Sequence, residues 1–206
     1  MSEARIGRLL VASLHQAVAD ILPTRLEFYE NWLNVSGMRE GTIGLGPLFA
    51  VLSFLRGEGS TYHAITTRAG EYAGEWTVVE LAGMERRFIG ALPTALRTRA
   101  ALRISRALIR ATYPDTSARI RVRRGAATVD LRGSLFCEVR ELAQTPLCGF
   151  YAAAVRRVLE LFALQADVRV VECRAAGVHR ACVLNVSVTP LVTVEVPVDA
   201  ETAEKM

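Results

Sequence analysis

Four cysteines, Cys137, Cys148, Cys173 and Cys182, are the residues of this chain best suited to chemistry, and three of them crowd around one helix and one hairpin. Cys148 opens the segment PLCGFYAAAVRRVLELF at residues 146–162, while Cys173 and Cys182 lie in VECRAAGVHRACVL at residues 171–184. Thiolate is a soft donor, and three sulfurs can fill three corners of a tetrahedron around zinc, with His179, Cys137 or water as the fourth ligand. The spacing also has a plainer reading. No CxxC knuckle is present, and cysteine beside Leu147, Val171 or Val183 is a small core hydrophobe. In SLFCEVR, strand alternation sets Cys137 beside Leu135 on a core-facing side. Cys148, at a helix start, is the thiol expected to ionise most readily, because unpaired amides and the helix dipole favour a thiolate there.

Arginine forms a second constellation. Arg99, Arg103, Arg106 and Arg110 recur at helical spacing opposite Leu96, Ala100, Ile104, Ala107, Leu108 and Ala111, and Arg119, Arg121 and Arg123 alternate along the following strand. Such a row is ordinarily a solvated face, and it also matches carboxylates, those of an acidic partner or of tetrapyrrole propionates, through bidentate guanidinium contacts. Nucleic acid is not expected, since no recognition motif is present and aromatic residues do not interleave with the row.

His15, His63 and His179 fall into no Ser/His/Asp arrangement, and GLG at 44–46 lacks the strand and third glycine of a dinucleotide fingerprint. With no means of holding a hydride donor, an autonomous reductase is not expected. The apolar helices and the aromatic residues Trp32, Trp76, Phe28, Phe150 and Tyr151 point either to core packing or to a wall for a flat hydrophobic ligand, with Phe150, Tyr151 and Trp76 as the pocket residues.

The elements that must position these residues divide the chain in two. Apolar residues recur at helical spacing over 3–22, ending at Pro23, then over 24–35 with Thr24 as cap, from Pro47 to the GEGS break, over 61–82, and over 93–114. The stretch from Pro47 is apolar nearly all round and reads as a buried helix. After Pro114 the period falls to two: ARIRVRR, ATVDLRG and SLFCEVR read as strands, followed by a helix from Cys148 to Leu164 and a hairpin of DVRVVECRA and RACVLNVSV, with a last strand or tail over 191–206. The expected class is α+β, a helical N-terminal half joined to a mixed or antiparallel sheet with one inserted helix. With 206 residues, 51% of them hydrophobic, the chain can bury one core of good size. No run approaches the roughly 18 apolar residues that span a bilayer, and the start MSEARIGRLL lacks a signal-peptide core, so a cytoplasmic protein with reduced thiols is expected. The formal charge of +4 rests on arginine, Lys205 being the single lysine.

Residues 134–186, and more loosely 60–188, resemble the 4-vinyl reductase domain family: a strand, a proline and cysteine opening a helix, then a cysteine, a glycine and a last cysteine on a hairpin. RAGEYAGEW and LPTALRTRAAL resemble the branch that assists bacteriochlorophyll synthesis. The resemblance implies a fold like that of TRAPP tethering subunits, with a helical region over 1–59, the family domain over 60–190 and a tail over 191–206. It also implies a ligand-binding or carrier role, presenting a hydrophobic planar molecule such as a tetrapyrrole to a pigment-synthesis enzyme. A regulatory or assembly module acting through a homodimer or partner protein is the alternative. In phenol-sensing members the matching cysteines bind zinc with a glutamate three residues before the second; here that position is Val170, and Glu172 lies beside Cys173 on the opposite face. One extra residue separates Gly177 from Cys182, and the family's mid-helix glycine is Ala153 or Ala154.

Overall fold

A computed structural model describes residues 7–33, 44–123, 126–139, 142–177 and 180–190. Its order is α1 (Arg8–Ile21), α2 (Leu26–Leu33), α3 (Leu45–Gly57), α4 (Ser60–Val79), α5 (Gly83–Ala91), α6 (Thr94–Thr112), β1 (Ser117–Arg123), β2 (Ala126–Arg132), α7 (Gly149–Leu161), β3 (Leu164–Glu172) and β4 (Cys182–Pro190). Among the described residues the strands make one antiparallel sheet in the order β1-β2-β4-β3. The α+β architecture and the helical first half are therefore as expected.

The sheet presents Ala118, Ala127, Val129, Leu131, Leu184 and Val186 to the core, and α6 and α7 cover that face. Helix α4 packs along α7, and α1 packs on α4. Burial of the Val and Leu side chains among them stabilises by about 1.5–3 kcal/mol each before chain entropy is counted. Helices α4 and α7 approach closely. A Cβ on Gly70 would stand 2.2 Å from the Phe150 carbonyl oxygen, and one on Gly74 would stand 3.0 Å from that of Ala154. The small residues that let these helices touch are thus on α4, opposite Ala153 and Ala154.

Several expectations are corrected. The described part of SLFCEVR, residues 134–139, is not a strand: Leu135–Cys137 forms a 3-10 turn, and Leu135, Phe136 and Cys137 are all buried. A strand would send every second side chain outward, so three consecutive buried residues require the chain to coil. Phe136 stacks on Phe150 at 5.0 Å between centroids, which holds the coil against α7. Thr24 is not a cap but part of a 3-10 turn over Pro23–Arg25 that leads into α2. Helix α3 buries Leu48, Val51, Leu52 and Leu55 and leaves Phe54 exposed, so it is one-sided rather than enclosed.

Helix α6 buries Thr98, Ala101, Leu102, Ser105, Leu108, Ile109 and Thr112, a face turned away from the one drawn through Leu96, Ala107 and Ala111. Hydroxyls are tolerated inside because each returns to its own helix: Ser105 Oγ donates to the Ala101 carbonyl at 3.0 Å, and Thr98 Oγ1 to that of Thr94 at 2.8 Å. Helix α5 has no counterpart among the expected elements. Its sequence GMERRFIGA carries two glycines and buries only Ile89, so it lacks an apolar stripe. The tail over 191–206 lies outside the described residues, as does the turn near Gly125.

Candidate metal centre and adjoining cleft

Three elements bring the four cysteines together. Cys148 is the residue from which α7 starts, Cys173 and Cys182 close the β3–β4 end of the sheet, and Cys137 arrives on the 3-10 turn. All four are buried, and their Sγ atoms lie within 4.8 Å of one another. Cys148 Sγ is 2.9 Å from Cys182 Sγ, 3.0 Å from Cys137 Sγ and 3.5 Å from Cys173 Sγ; Cys137 Sγ is 3.6 Å from Cys173 and 3.5 Å from Cys182. Sulfurs at the corners of a tetrahedron around zinc, each about 2.3 Å from the ion, stand about 3.8 Å apart. Five of the six sulfur pairs are therefore slightly tighter than in an occupied site, and the sixth, Cys173 to Cys182, lies within 4.8 Å, so modest shifts of sulfur would accommodate the ion.

Neighbouring backbone supports the charge. The Leu147 amide donates to Cys173 Sγ and the Arg174 amide to Cys182 Sγ, both at 3.4 Å. The Leu147 peptide is itself fixed from α4, where the buried Tyr62 hydroxyl donates to its carbonyl at 3.3 Å; desolvation pushes that phenol well up. The Ala143 amide donates to the Ala175 carbonyl at 2.7 Å and joins the approach to α7 with the turn after β3.

Without a cation the four sulfurs share protons. Hydrogen bonds from Cys137, Cys148 and Cys182 hold the Cys173 thiol far below its ordinary range, and bonds from Cys137 and Cys148 lower Cys182. Cys148 is pushed up by its hydrogen bonds with the other three thiols and by burial. For Cys137 the bond to Cys148 lowers the value, but the bonds to Cys173 and Cys182 together with burial raise it overall. The four thiols thus titrate as one group, in which hydrogen bonds from neighbouring sulfurs favour a thiolate and burial opposes it.

Placement of the other sequence candidates follows. Cys137 belongs with the trio, which strand alternation concealed. His179 lies outside the described residues. Val170 pairs with Leu184 within the sheet, and Glu172 is exposed beyond a bulge at the end of β3. Phe150 and Tyr151 are fully buried among Phe136 and neighbouring core residues, with the Tyr151 phenol pushed up to about 12 by burial. Trp76 is half-buried on α4 and stacks on Tyr72 at 5.4 Å. Arg99, Arg103, Arg106 and Arg110 of α6 and Arg119, Arg121 and Arg123 of β1 are exposed.

Beside the cysteines lies an open cleft of about 860 Å³ between α3 and the described residues 138–139 and 142–147, lined by Phe49, Ala50, Ser53, Arg56, Val139 and Leu147 among others. Its walls are mostly apolar. Glu138 on the rim pairs with Arg174, whereas Arg56 has no carboxylate partner among the described residues; it reaches the Glu138 carbonyl at 3.5 Å, and its buried Nε has no acceptor. The centre and the cleft share their wall, since Glu138 adjoins Cys137 and Leu147 adjoins Cys148.

No protein-family profile and no curated protein matches the chain. Solved structures do. An Fe(II) unliganded H-NOX protein from K. algicida aligns with a TM-score of 0.55 at 11% identity, covering 89% of this chain and 97% of that one, and a point mutant of the same H-NOX protein aligns with 0.54 at 10%, covering 91% and 98%. A trafficking protein particle complex subunit 3 from Naegleria fowleri, covalently bound to palmitic acid, gives 0.48 at 10% identity over 87% of this chain and 96% of its own. At such identities the H-NOX likeness shows a shared fold. No described helix is long and apolar enough to cross a membrane.

Proposed function

We propose that this chain is a small-molecule-binding module in which Cys137, Cys148, Cys173 and Cys182 hold one zinc ion and the adjoining cleft takes a hydrophobic ligand bearing a carboxylate. The observation that carries this reading is the convergence of four buried sulfurs behind the wall of a mostly apolar cleft that contains Arg56, an arginine with no carboxylate partner among the described residues. Four thiolates complete a tetrahedral shell and leave no open position, the arrangement of a structural rather than a catalytic zinc. Cys137 supplies the ligand that Val170 cannot, so the metal reading survives the loss of the family's glutamate. Zinc would supply a fixed cross-link; the residues do the rest. Cys148 ties down the start of α7, Cys173 and Cys182 tie down the β3–β4 end, and the Leu147 and Arg174 amides offset the negative charge of the sulfurs.

Arg56 is placed to anchor a carboxylate by paired hydrogen bonds while Phe49, Val139 and Leu147 cover the apolar body. A planar tetrapyrrole with propionate arms has this chemistry. It accords with the resemblance to 4-vinyl reductase domains and with a carrier that hands its ligand to a pigment-synthesis enzyme. Titration with protoporphyrin, followed by absorbance, tests the cleft. Saturable binding that is weakened at least tenfold by Arg56→Glu and blocked by Ala50→Trp is expected; uptake indifferent to both substitutions would remove the ligand from this cleft.

A second reading rests on Phe28, Trp32 and Phe54, three exposed aromatic side chains, with Phe54 of α3 meeting Phe28 and Trp32 of α2 at 5.2 and 5.5 Å between centroids. Such a patch suits a homodimer or an assembly partner. Light scattering on the Trp32→Ser variant distinguishes this reading, a dimer becoming a monomer.

A further inference from the structure

We infer that the α5–α6 hairpin is a docking surface for an anionic lipid bilayer. Helix α5 stands out from the domain: of its nine residues only Ile89 is buried. Met84 and Phe88, one turn apart on α5, are 84% and 68% exposed, and Leu96 at the start of α6 is 48% exposed. Single large apolar side chains on a protruding helix can enter the acyl boundary of a membrane without the flat complementary surface that a protein partner needs. The neighbouring charge selects the lipid.

Along α6, Leu96 shares one face with Arg99, Arg103, Arg106 and Arg110, all four arginines exposed, and α5 adds Arg86 and Arg87. No carboxylate among the described residues pairs with any of these six, although the structure contains ion pairs elsewhere, including those of Arg68, Arg156 and Arg157. Glu85 is the single acidic residue on α5. The two helices also form one unit, because Arg97 Nη1 donates to the Gly90 carbonyl at 3.1 Å and so takes up a free acceptor at the end of α5. The result is an apolar tip followed by a row of cations, the order needed to insert at the headgroup boundary and hold anionic headgroups along a helix.

Cosedimentation of the full chain with phosphatidylcholine vesicles, with and without phosphatidylglycerol, tests the surface. Binding is expected only when phosphatidylglycerol is present and should decline with added salt, since each arginine near such a surface contributes roughly fivefold in partitioning. Phe88→Asp should abolish binding, and Arg103→Glu with Arg106→Glu should lower it more than tenfold, with circular dichroism of both variants unchanged. Equal binding to neutral vesicles, or retention of binding by Phe88→Asp, would overturn the proposal. So would absence of vesicle binding together with salt-sensitive capture by polyglutamate, which would assign the arginine row to an acidic protein.

Discussion

Helix α7 is fastened at two places by opposite means. Along its body it meets α4 through Gly70 and Gly74, so that backbone touches backbone, and the rim of that contact carries Arg156 to Glu71 at 2.9 Å and Arg157 to Glu75 at 2.5 Å. At its start it meets four sulfurs gathered from three separate segments. The first fastening is complete within the chain: shape brings the helices together, and at the edge these two arginines find their carboxylates. The second gathers like groups that repel once ionised. Four buried sulfurs this close could hold a metal ion. Packing and the rim ion pairs hold the body of the domain, whereas on the proposed zinc reading the wall of the cleft depends on a bound ion.

The largest expected effect is at the helix contact. Gly70→Val would drive side-chain carbon into the Phe150 carbonyl and the Ala153 side chain, neither of which can retreat from a close-packed pair, and a loss of more than about 3 kcal/mol is expected in urea unfolding. Gly74→Ala is milder, because its 3.0 Å contacts are partly offset by about 1 kcal/mol of helix propensity. If Gly70→Val were neutral, the contrast between the two fastenings would collapse.

Next comes the cysteine centre. Cys137→Ser should remove the metal and lower the melting temperature by about 10 °C, as should chelator on the native protein, because zinc binding contributes directly to folding. His179→Ala should leave zinc content unchanged. The opposite pair of results would replace Cys137 with His179 in the shell.

Smaller effects sharpen the comparison. Arg157→Ala removes a part-exposed ion pair at the edge of α4 and should cost no more than about 1 kcal/mol, as measured in a double-mutant cycle with Glu75→Ala. The smallest concerns Asp20, whose carboxyl is held below its usual range chiefly by the Tyr72 hydroxyl, helped by Gln16 and Arg68. A lowered carboxylate stabilises the fold above about pH 4, and that contribution disappears as the pH falls through the lowered value. Tyr72→Phe should therefore reduce stability slightly at pH 7, an effect that shrinks as the solution is acidified and is read from urea unfolding across that range.

What the sequence discloses depends on how local the determinant is. Helical spacing over 3–22, 61–82 and 93–114 and the change of period after Pro114 are local, and α1, α4, α6 and the antiparallel sheet follow from them. Glycines four residues apart in RAGEYAGEW are equally visible, and their spacing marks a face that lets another helix approach, a signal that reading α4 simply as a helix passes over. The burial of α6 is not local: its face is chosen by what packs against it, and hydroxyls satisfied by their own backbone make a polar-looking stripe the inner one. Cys137 is hidden for a related reason. Alternation in SLFCEVR is a good strand pattern, and only the stacking of Phe136 on Phe150 coils the segment and swings this sulfur to the other three. What the sequence does offer is arithmetic: three gathered cysteines leave one corner of a tetrahedron open, and Cys137 stands with His179 and water among the groups that could fill it.

X-ray absorption at the zinc edge of the purified protein tests the central claim most directly. One zinc per chain, surrounded by four sulfurs at about 2.3 Å, is the predicted result. A shell containing nitrogen or oxygen, or a folded protein that carries no zinc and is indifferent to chelator, would contradict it.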